Sequence, residues 1–337
     1  MNEEKLVQRL GYRFKKDLMT SWGLILIPKE SLLEAHHIEW IMNHGIIMEE
    51  HDFENPHQVT NEELVTQASE MVKEMFHLIN EEKEIPLEAL NRSVIPAIYQ
   101  ASEFPSLFSV LSGLQAKDDY TYRHNIGVGV ISTLIGKWLH LSEEELSMLS
   151  TAATLHDVGK IQIRDEILNK PGKYSNEEYE IMKQHTKFGF DIIKRTPNLP
   201  PELALVALQH HEREDGQGYP NGLKGDQIEF FSKIVAVADI FHAMTSKRVY
   251  KDATPFYLVI RQMQEDRFGL LDPLICSVFI RRMMELAVGD EVILTDGRRG
   301  EIVNSNPLDL TNPLVKVGDE YINLSEHPNL FIQTLVG

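Results

Sequence analysis

Residues 149–160 read Leu149-Ser150-Thr151-Ala152-Ala153-Thr154-Leu155-His156-Asp157-Val158-Gly159-Lys160, and the fold turns on how this stretch is interpreted. Its first seven residues make a helix-like run that ends in an imidazole and a carboxylate, with an amine three residues further on. Three polar groups therefore fall within about one helical turn. Alone, such a triplet is equally an ordinary helix end. Outward from it the pattern recurs. His210 and His211 close the apolar run 203–208, His124 heads the run 126–135, and His185 precedes Gly189 in another helix-like segment. Asp239 sits within Ile234-Val235-Ala236-Val237-Ala238-Asp239-Ile240-Phe241, a run expected to be buried nearly all round. A carboxylate there is costly unless it is paired, capped by a dipole or bound to a metal.

Helical spacing continues from Pro86 to about Leu286, with breaks at Pro96, Pro105, Pro171-Gly172, 197–201 and the glycine-rich 216–225. This predicts an all-α body over 118–287. Ahead of it, residues 58–117 read as a helical connector. It opens on the capping-box pattern Thr60-Asn61-Glu62-Glu63 and carries Leu64, Ala68, Met71, Val72, Met75, Phe76 and Ile79 at helical spacing. Its acidic residues Glu81, Glu82 and Glu84 read as a solvated face. Residues 1–57 read as a small α+β domain. Residues 288–337 change to short β-like runs at 291–294, 300–303, 314–317 and 321–324, which predict a small β-barrel-like or sandwich domain. The expected class is mainly α with two small flanking domains.

Composition narrows the function. The chain has 337 residues, 42% of them apolar, and a single cysteine, Cys276, which argues against a disulfide framework and for a reducing compartment, the cytoplasm. Neither a signal peptide nor a membrane span is expected. A formal charge of -18 disfavours DNA, RNA and anionic lipid as partners. An anionic substrate then needs a locally positive site, which bound metal ions supply. Each of the histidines at 124, 185 and 210 is, alone, an ordinary core residue. Five histidines with Asp157 and Asp239 instead make a nitrogen and oxygen ligand set without sulfur, suited to Mn, Fe, Ni or Zn rather than Ca or Mg. Adjacent His210 and His211 point about 100° apart on a helix and can approach one ion from two sides.

The order His124, His156-Asp157-x-x-Lys160, His185, His210-His211, Asp215-Gly216-x-Gly218-Tyr219-Pro220, Asp239 resembles the HD-GYP branch of the HD phosphohydrolase superfamily over residues 118 to 283. Ile167-Leu168-Asn169-Lys170-Pro171-Gly172 and Met244-Thr245-Ser246 belong to the same match. The resemblance implies an α-helical catalytic domain that hydrolyses cyclic di-GMP to linear pGpG and, in some members, to GMP. It implies two divalent transition-metal ions, iron or manganese first, with nickel or zinc as alternatives. One would lie on His124, His156, Asp157 and Asp239, the other on Asp157, His185, His210 and His211, with Asp157 shared. Lys160, Arg248 and Lys251 fall at substrate-phosphate positions, and Tyr219 and Pro220 at the pocket wall. Asp157 and Lys160 are then the catalytic pair.

Departures qualify the match. Some three-metal members carry a glutamate four residues before the first histidine; here Tyr120 stands there, so two ions are expected, with Asp119 one position away. His242 replaces an aspartate common in the family, and 266–272 lacks the usual glycine-rich approach to the last helix. The flanks resemble, weakly, small packing, partner-binding or sensory modules, and leave a homodimer or a signalling partner open. Two rival readings stand: an HD hydrolase for another cyclic dinucleotide or nucleotide, and a non-catalytic cyclic di-GMP sensor.

Overall fold

The computed structural model describes residues 3–7, 9–19, 25–29, 31–54, 61–82, 84–103, 111–112, 114, 120–246, 254–266, 269–306, 309–327 and 329–336. The chain divides into two compact units, Met1–Thr60 and Asn61–Gly337.

The first unit is α+β. Helix α1 (Glu3–Val7) precedes strands β1 (Arg13–Phe14), β2 (Leu18–Met19) and β3 (Ile25–Ile27), helix α2 (Ala35–Asn43) and strand β4 (Phe53–Glu54). β1 pairs antiparallel with β4 and β2 with β3. Leu6, Phe14, Ile27, Leu33, Ile41 and Phe53 are among the residues that fill its own core.

The second unit opens on α3 (Asn61–Glu82). Val65, Ala68, Val72, Met75, Phe76 and Ile79 are buried at intervals of three and four, while Met71 is exposed. Thr60, the expected cap, lies outside the described residues. The chain continues through α4 (Leu87–Ala89) and α5 (Ile95–Ala101) into α6 (Tyr120–Trp138) and α7 (Glu143–Leu155). Ser142 and Glu145 cap α7 reciprocally. A 3-10 turn, Val158–Gln162, leads to α8 (Asp165–Leu168), α9 (Asn176–Lys183), α10 (His185–Arg195), α11 (Glu202–Gln209) and α12 (Phe230–Thr245). Helices α13 (Phe256–Asp266) and α14 (Pro273–Leu286) complete the bundle, α14 starting where Asp272 accepts the Leu274 and Ile275 amides.

Strands β5 (Glu291–Leu294), β6 (Arg299–Asn304), β7 (Leu314–Val317), β8 (Glu320–Asn323) and β9 (Ile332–Val336) form one antiparallel sheet in the order β8-β7-β6-β5-β9. The expected barrel-like or sandwich domain is thus a single five-stranded sheet with β8 and β9 at opposite edges. Its inward residues, among them Val292, Ile302, Val315 and Ile332, belong to the same hydrophobic core as Val72, Ile98, Leu149, Phe241 and Phe279. The segments read from sequence as connector, helical body and C-terminal domain share that core.

Candidate metal centre

Several elements of the bundle meet at one buried carboxylate, that of Asp157. α7 ends at Leu155, His156 and Asp157 follow, and the 3-10 turn carries the chain against the start of α10. The approach is so close that a Cβ on Gly159 would lie 1.9 Å from the carbonyl oxygen of His185 and 2.3 Å from the amide nitrogen of Gly189. Glycine at 159 is what lets Asp157 and His185 face one another. α11 brings in His210 and His211 from the other side, and α6 and α12 bring His124 and Asp239.

The two oxygens of Asp157 face different groups. Oδ1 lies 3.3 Å from His185 Nε2 and 3.8 Å from His210 Nε2; Oδ2 lies 3.3 Å from His156 Nε2 and 3.9 Å from His124 Nε2. Asp239 Oδ1 stands 3.0 Å from His124 Nε2, and its Oδ2 3.9 Å from His211 Nδ1. Two sets of side chains have ligand atoms close enough to share an ion: Asp157 with His185, His210 and His211, and Asp157 with His124 and His156. Lys160 pairs with Asp157 Oδ2. All seven histidines and aspartates picked out from the sequence therefore converge.

Hydrogen bonding orients the rings. His156 Nδ1 is 2.7 Å from the Ala153 carbonyl, His185 Nδ1 2.7 Å from that of Met182, and His210 Nδ1 3.0 Å from that of Ala207. A carbonyl only accepts, so each Nδ1 carries the proton and, in the neutral ring, each Nε2 presents a lone pair. Burial holds His185 below the ordinary histidine pKa and His210 well below it. It takes His211 down to about 3, so these rings stay neutral. In His156 burial acts downward most strongly of any one cause, but the charge and hydrogen bond of Asp157, the Asp239 charge and the Ala153 carbonyl together outweigh it and the net shift is upward. Asp157 and Asp239 are both held well below the usual carboxylate range: burial opposes this, and the cationic Lys160 with His156 at Asp157, and His124 at Asp239, prevail.

Neutral nitrogen lone pairs are thus aimed at carboxylate oxygens in a buried space. Asp157 Oδ1 and His156 Nε2 are fully buried without a hydrogen-bond partner. Each is a buried acceptor without a donor, Oδ1 toward His185 and His210 and His156 Nε2 toward Oδ2, which is unfavourable by itself. A cation between them resolves the arrangement, and the nitrogen and oxygen donors fit a divalent transition ion.

The loop after His211 forms one wall. The Tyr219 ring lies 4.7 Å from that of His211 at 31°. Tyr219 is mostly buried, which pushes its phenol pKa up. Pro220 follows through a cis peptide. Arg248 and Lys251 lie outside the described residues, as does Asp119.

Sequence reasoning missed three neighbours. Buried Glu212 accepts the Asn221 and Leu223 amides at 2.7 and 3.0 Å and so ties down the Tyr219 loop. Tyr179 sets its ring 6.1 Å from Tyr219, edge-on, with Lys183 Nζ 5.8 Å over Tyr219. His242, noted only as a departure, places Nδ1 2.9 Å from His124 Nδ1. Position next to the His-His pair was a signal for Glu212; nothing in the sequence pointed to Tyr179.

Residues 110–275 match the HD domain family. A cyclic di-GMP phosphodiesterase of Thermotoga maritima is 43% identical over 185 residues, 53% of this chain and 50% of that protein. The cyclic di-GMP phosphodiesterase response regulator RpfG of Xanthomonas campestris pv. campestris is 41% identical over 157 residues, 46% of this chain and 42% of that one. A 3'3'-cGAMP-specific phosphodiesterase of Vibrio cholerae is 38% identical over 147 residues, 43% of this chain and 28% of that one. The chain spans about half the length or less of these curated relatives. The solved structure of an HDG"Y"P protein from Bdellovibrio bacteriovorus superposes with a TM-score of 0.54 at 13% identity, over 81% of this chain and 94% of that one, and so shares the fold. Among the described residues no helix is long and apolar enough to cross a membrane. Residues 110–275, with the histidine and aspartate cluster they carry, are thus an HD domain similar to those of these cyclic di-GMP phosphodiesterases.

Proposed function

We propose that the chain is a metal-dependent phosphodiesterase that hydrolyses cyclic di-GMP to linear pGpG, with GMP as the further product some relatives of this type form, and that two divalent ions would be held around Asp157. The observation that carries this reading is the split of the Asp157 carboxylate, each oxygen facing its own pair of histidines. His124, His156 and Asp239 would hold one ion; His185, His210 and His211 the other. Iron or manganese suits the nitrogen-rich donor set, with nickel and zinc next. When bound, such a pair activates a water and clamps the attacking and leaving oxygens of an in-line displacement.

The remaining chemistry belongs to the chain. Asp157 stays anionic and positions both halves of the cluster. Lys160 lies beside Asp157, where its side chain would stabilise negative charge gathering on a phosphoryl oxygen. Tyr219, stacked against His211 and tied down through Glu212, walls the pocket, and Pro220 continues that wall. Arg248 and Lys251 are assigned to the second substrate phosphate. Local cations offset a surface whose formal charge of -18 repels a dinucleotide elsewhere. The single buried cysteine, Cys276, fits a reducing cytoplasm.

The test is chromatography of cyclic di-GMP incubated with anaerobically purified protein, beside 3'3'-cGAMP at equal concentration. Faster loss of cyclic di-GMP, with pGpG formed, supports the assignment. Preference for 3'3'-cGAMP favours the second reading, for which the similarity to the Vibrio cholerae enzyme speaks. Binding without turnover of either leaves a sensor.

A further inference from the structure

The histidines of the cluster are not anchored alike. His156, His185 and His210 each donate Nδ1–H to a main-chain carbonyl three residues back, a partner that no substitution removes. His124 has a different arrangement. Its Nδ1 lies 2.9 Å from Nδ1 of His242, a side chain from another helix, 118 residues away. His242 is itself 1% exposed. The Nε2 edge of its ring lies against α6 one turn beyond His124, where a Cβ on Gly127 would come within 2.1 Å of that nitrogen. Ser246 Oγ, at the end of α12, lies 3.3 Å from both ring nitrogens of His242.

Donor and acceptor roles follow from this geometry. For Nε2 of His124 to offer a lone pair toward Asp239 and Asp157, the His124 proton must sit on Nδ1. It then donates to Nδ1 of His242, which must be unprotonated, so the His242 proton sits on Nε2 with Ser246 Oγ in reach. The outer partner of a histidine ligand fixes its tautomer and ring orientation, and its loss typically weakens metal binding about 10- to 100-fold.

We propose that His242 is a positioning residue for His124, and that it selectively controls the ion held by His124, His156, Asp157 and Asp239. The inference rests on the two-ion reading above. It makes one ligand of that ion dependent on a replaceable side chain, whereas His156, His185 and His210 are secured by main chain.

Two substitutions separate acceptance from packing. In His242→Asn the amide oxygen sits one bond beyond Cγ, as Nδ1 does, and still accepts from His124; in His242→Leu a methyl occupies that place. Metal per chain is measured by elemental analysis after dialysis against a weak chelator, with thermal unfolding in parallel. The expected result is two ions in wild type and in His242→Asn, and close to one in His242→Leu, whose remaining ion binds with wild-type affinity. Two ions held equally tightly by His242→Leu overturn the proposal, and so does equal metal loss in both variants, which marks a packing role. A wild type that itself holds fewer than two ions overturns the two-ion reading, and the inference with it, before any variant is compared.

Discussion

The two sides of Asp157 are built on different principles. On the His185 and His210 side, each ring is fixed by a carbonyl of its own helix or the turn before it, and Gly159 sets the distance between them. On the His124 and Asp239 side, orientation passes through side chains: His242 behind His124, and Asp239 in front of it. The first side is as rigid as the secondary structure. The second includes contacts that single side-chain substitutions replace.

Predictions follow from this contrast, beginning with the group both sides share. Asp157→Ala removes the carboxylate whose two oxygens each face a pair of histidines, and should abolish metal-dependent hydrolysis, a fall of about three orders of magnitude or more in kcat. Gly159→Ala should act on the rigid side. A methyl group at that contact displaces the 3-10 turn from α10, and overpacking of this kind costs about 1–3 kcal/mol, read from denaturant unfolding. His185 moves with α10, so the ion on that side should weaken while the His124 side is retained, the reverse of His242→Leu. Glu212→Ala touches neither side directly. It removes the acceptor of the part-buried Asn221 and Leu223 amides, at about 1 kcal/mol each, and frees the Tyr219 loop, so KM should rise several-fold with little change in metal content. The smallest effect is expected at the rim. Tyr179→Ala takes an edge-on ring from Tyr219, a contact worth about 0.5–1.5 kcal/mol. A change in KM for cyclic di-GMP without one for a small aryl phosphodiester would show that this ring meets the nucleotide.

The same contrast explains what the sequence made legible. Histidines that end apolar helices announce themselves, because an imidazole at the end of a run such as 149–155 or 203–208 is chemically out of place. The seven cluster residues came from polar groups beside or within apolar runs, each an ordinary feature alone, and from the order along the chain that carries the family resemblance. The strand expectations at 291–294 and 314–317 coincide with β5 and β7, where short β-rich runs are bounded by turns. β9 was missed because Ile332–Val336 carries no turn signal after it, and its role is visible only in its pairing with β5. Met71 fits the helical spacing of α3 yet lies exposed, since the buried stripe passes beside it. The sharing of one core by connector, bundle and sheet was not readable either, because each segment has an apolar face of its own and the sequence does not say which faces meet. His242 and Glu212 belong with these: their roles are set by partners 118 and up to 11 residues away, through contacts that no local pattern encodes.

The central claim is that one carboxylate serves two ions that together hydrolyse a cyclic dinucleotide. Elemental analysis of anaerobically purified wild-type protein and Asp157→Ala, with cyclic di-GMP turnover followed in the same samples, tests it directly. The account predicts two divalent ions per chain and metal-dependent turnover in the wild type, with both lost in Asp157→Ala. Undiminished hydrolysis by the variant, or a wild type filled with metal that binds cyclic di-GMP and leaves it intact, would contradict it.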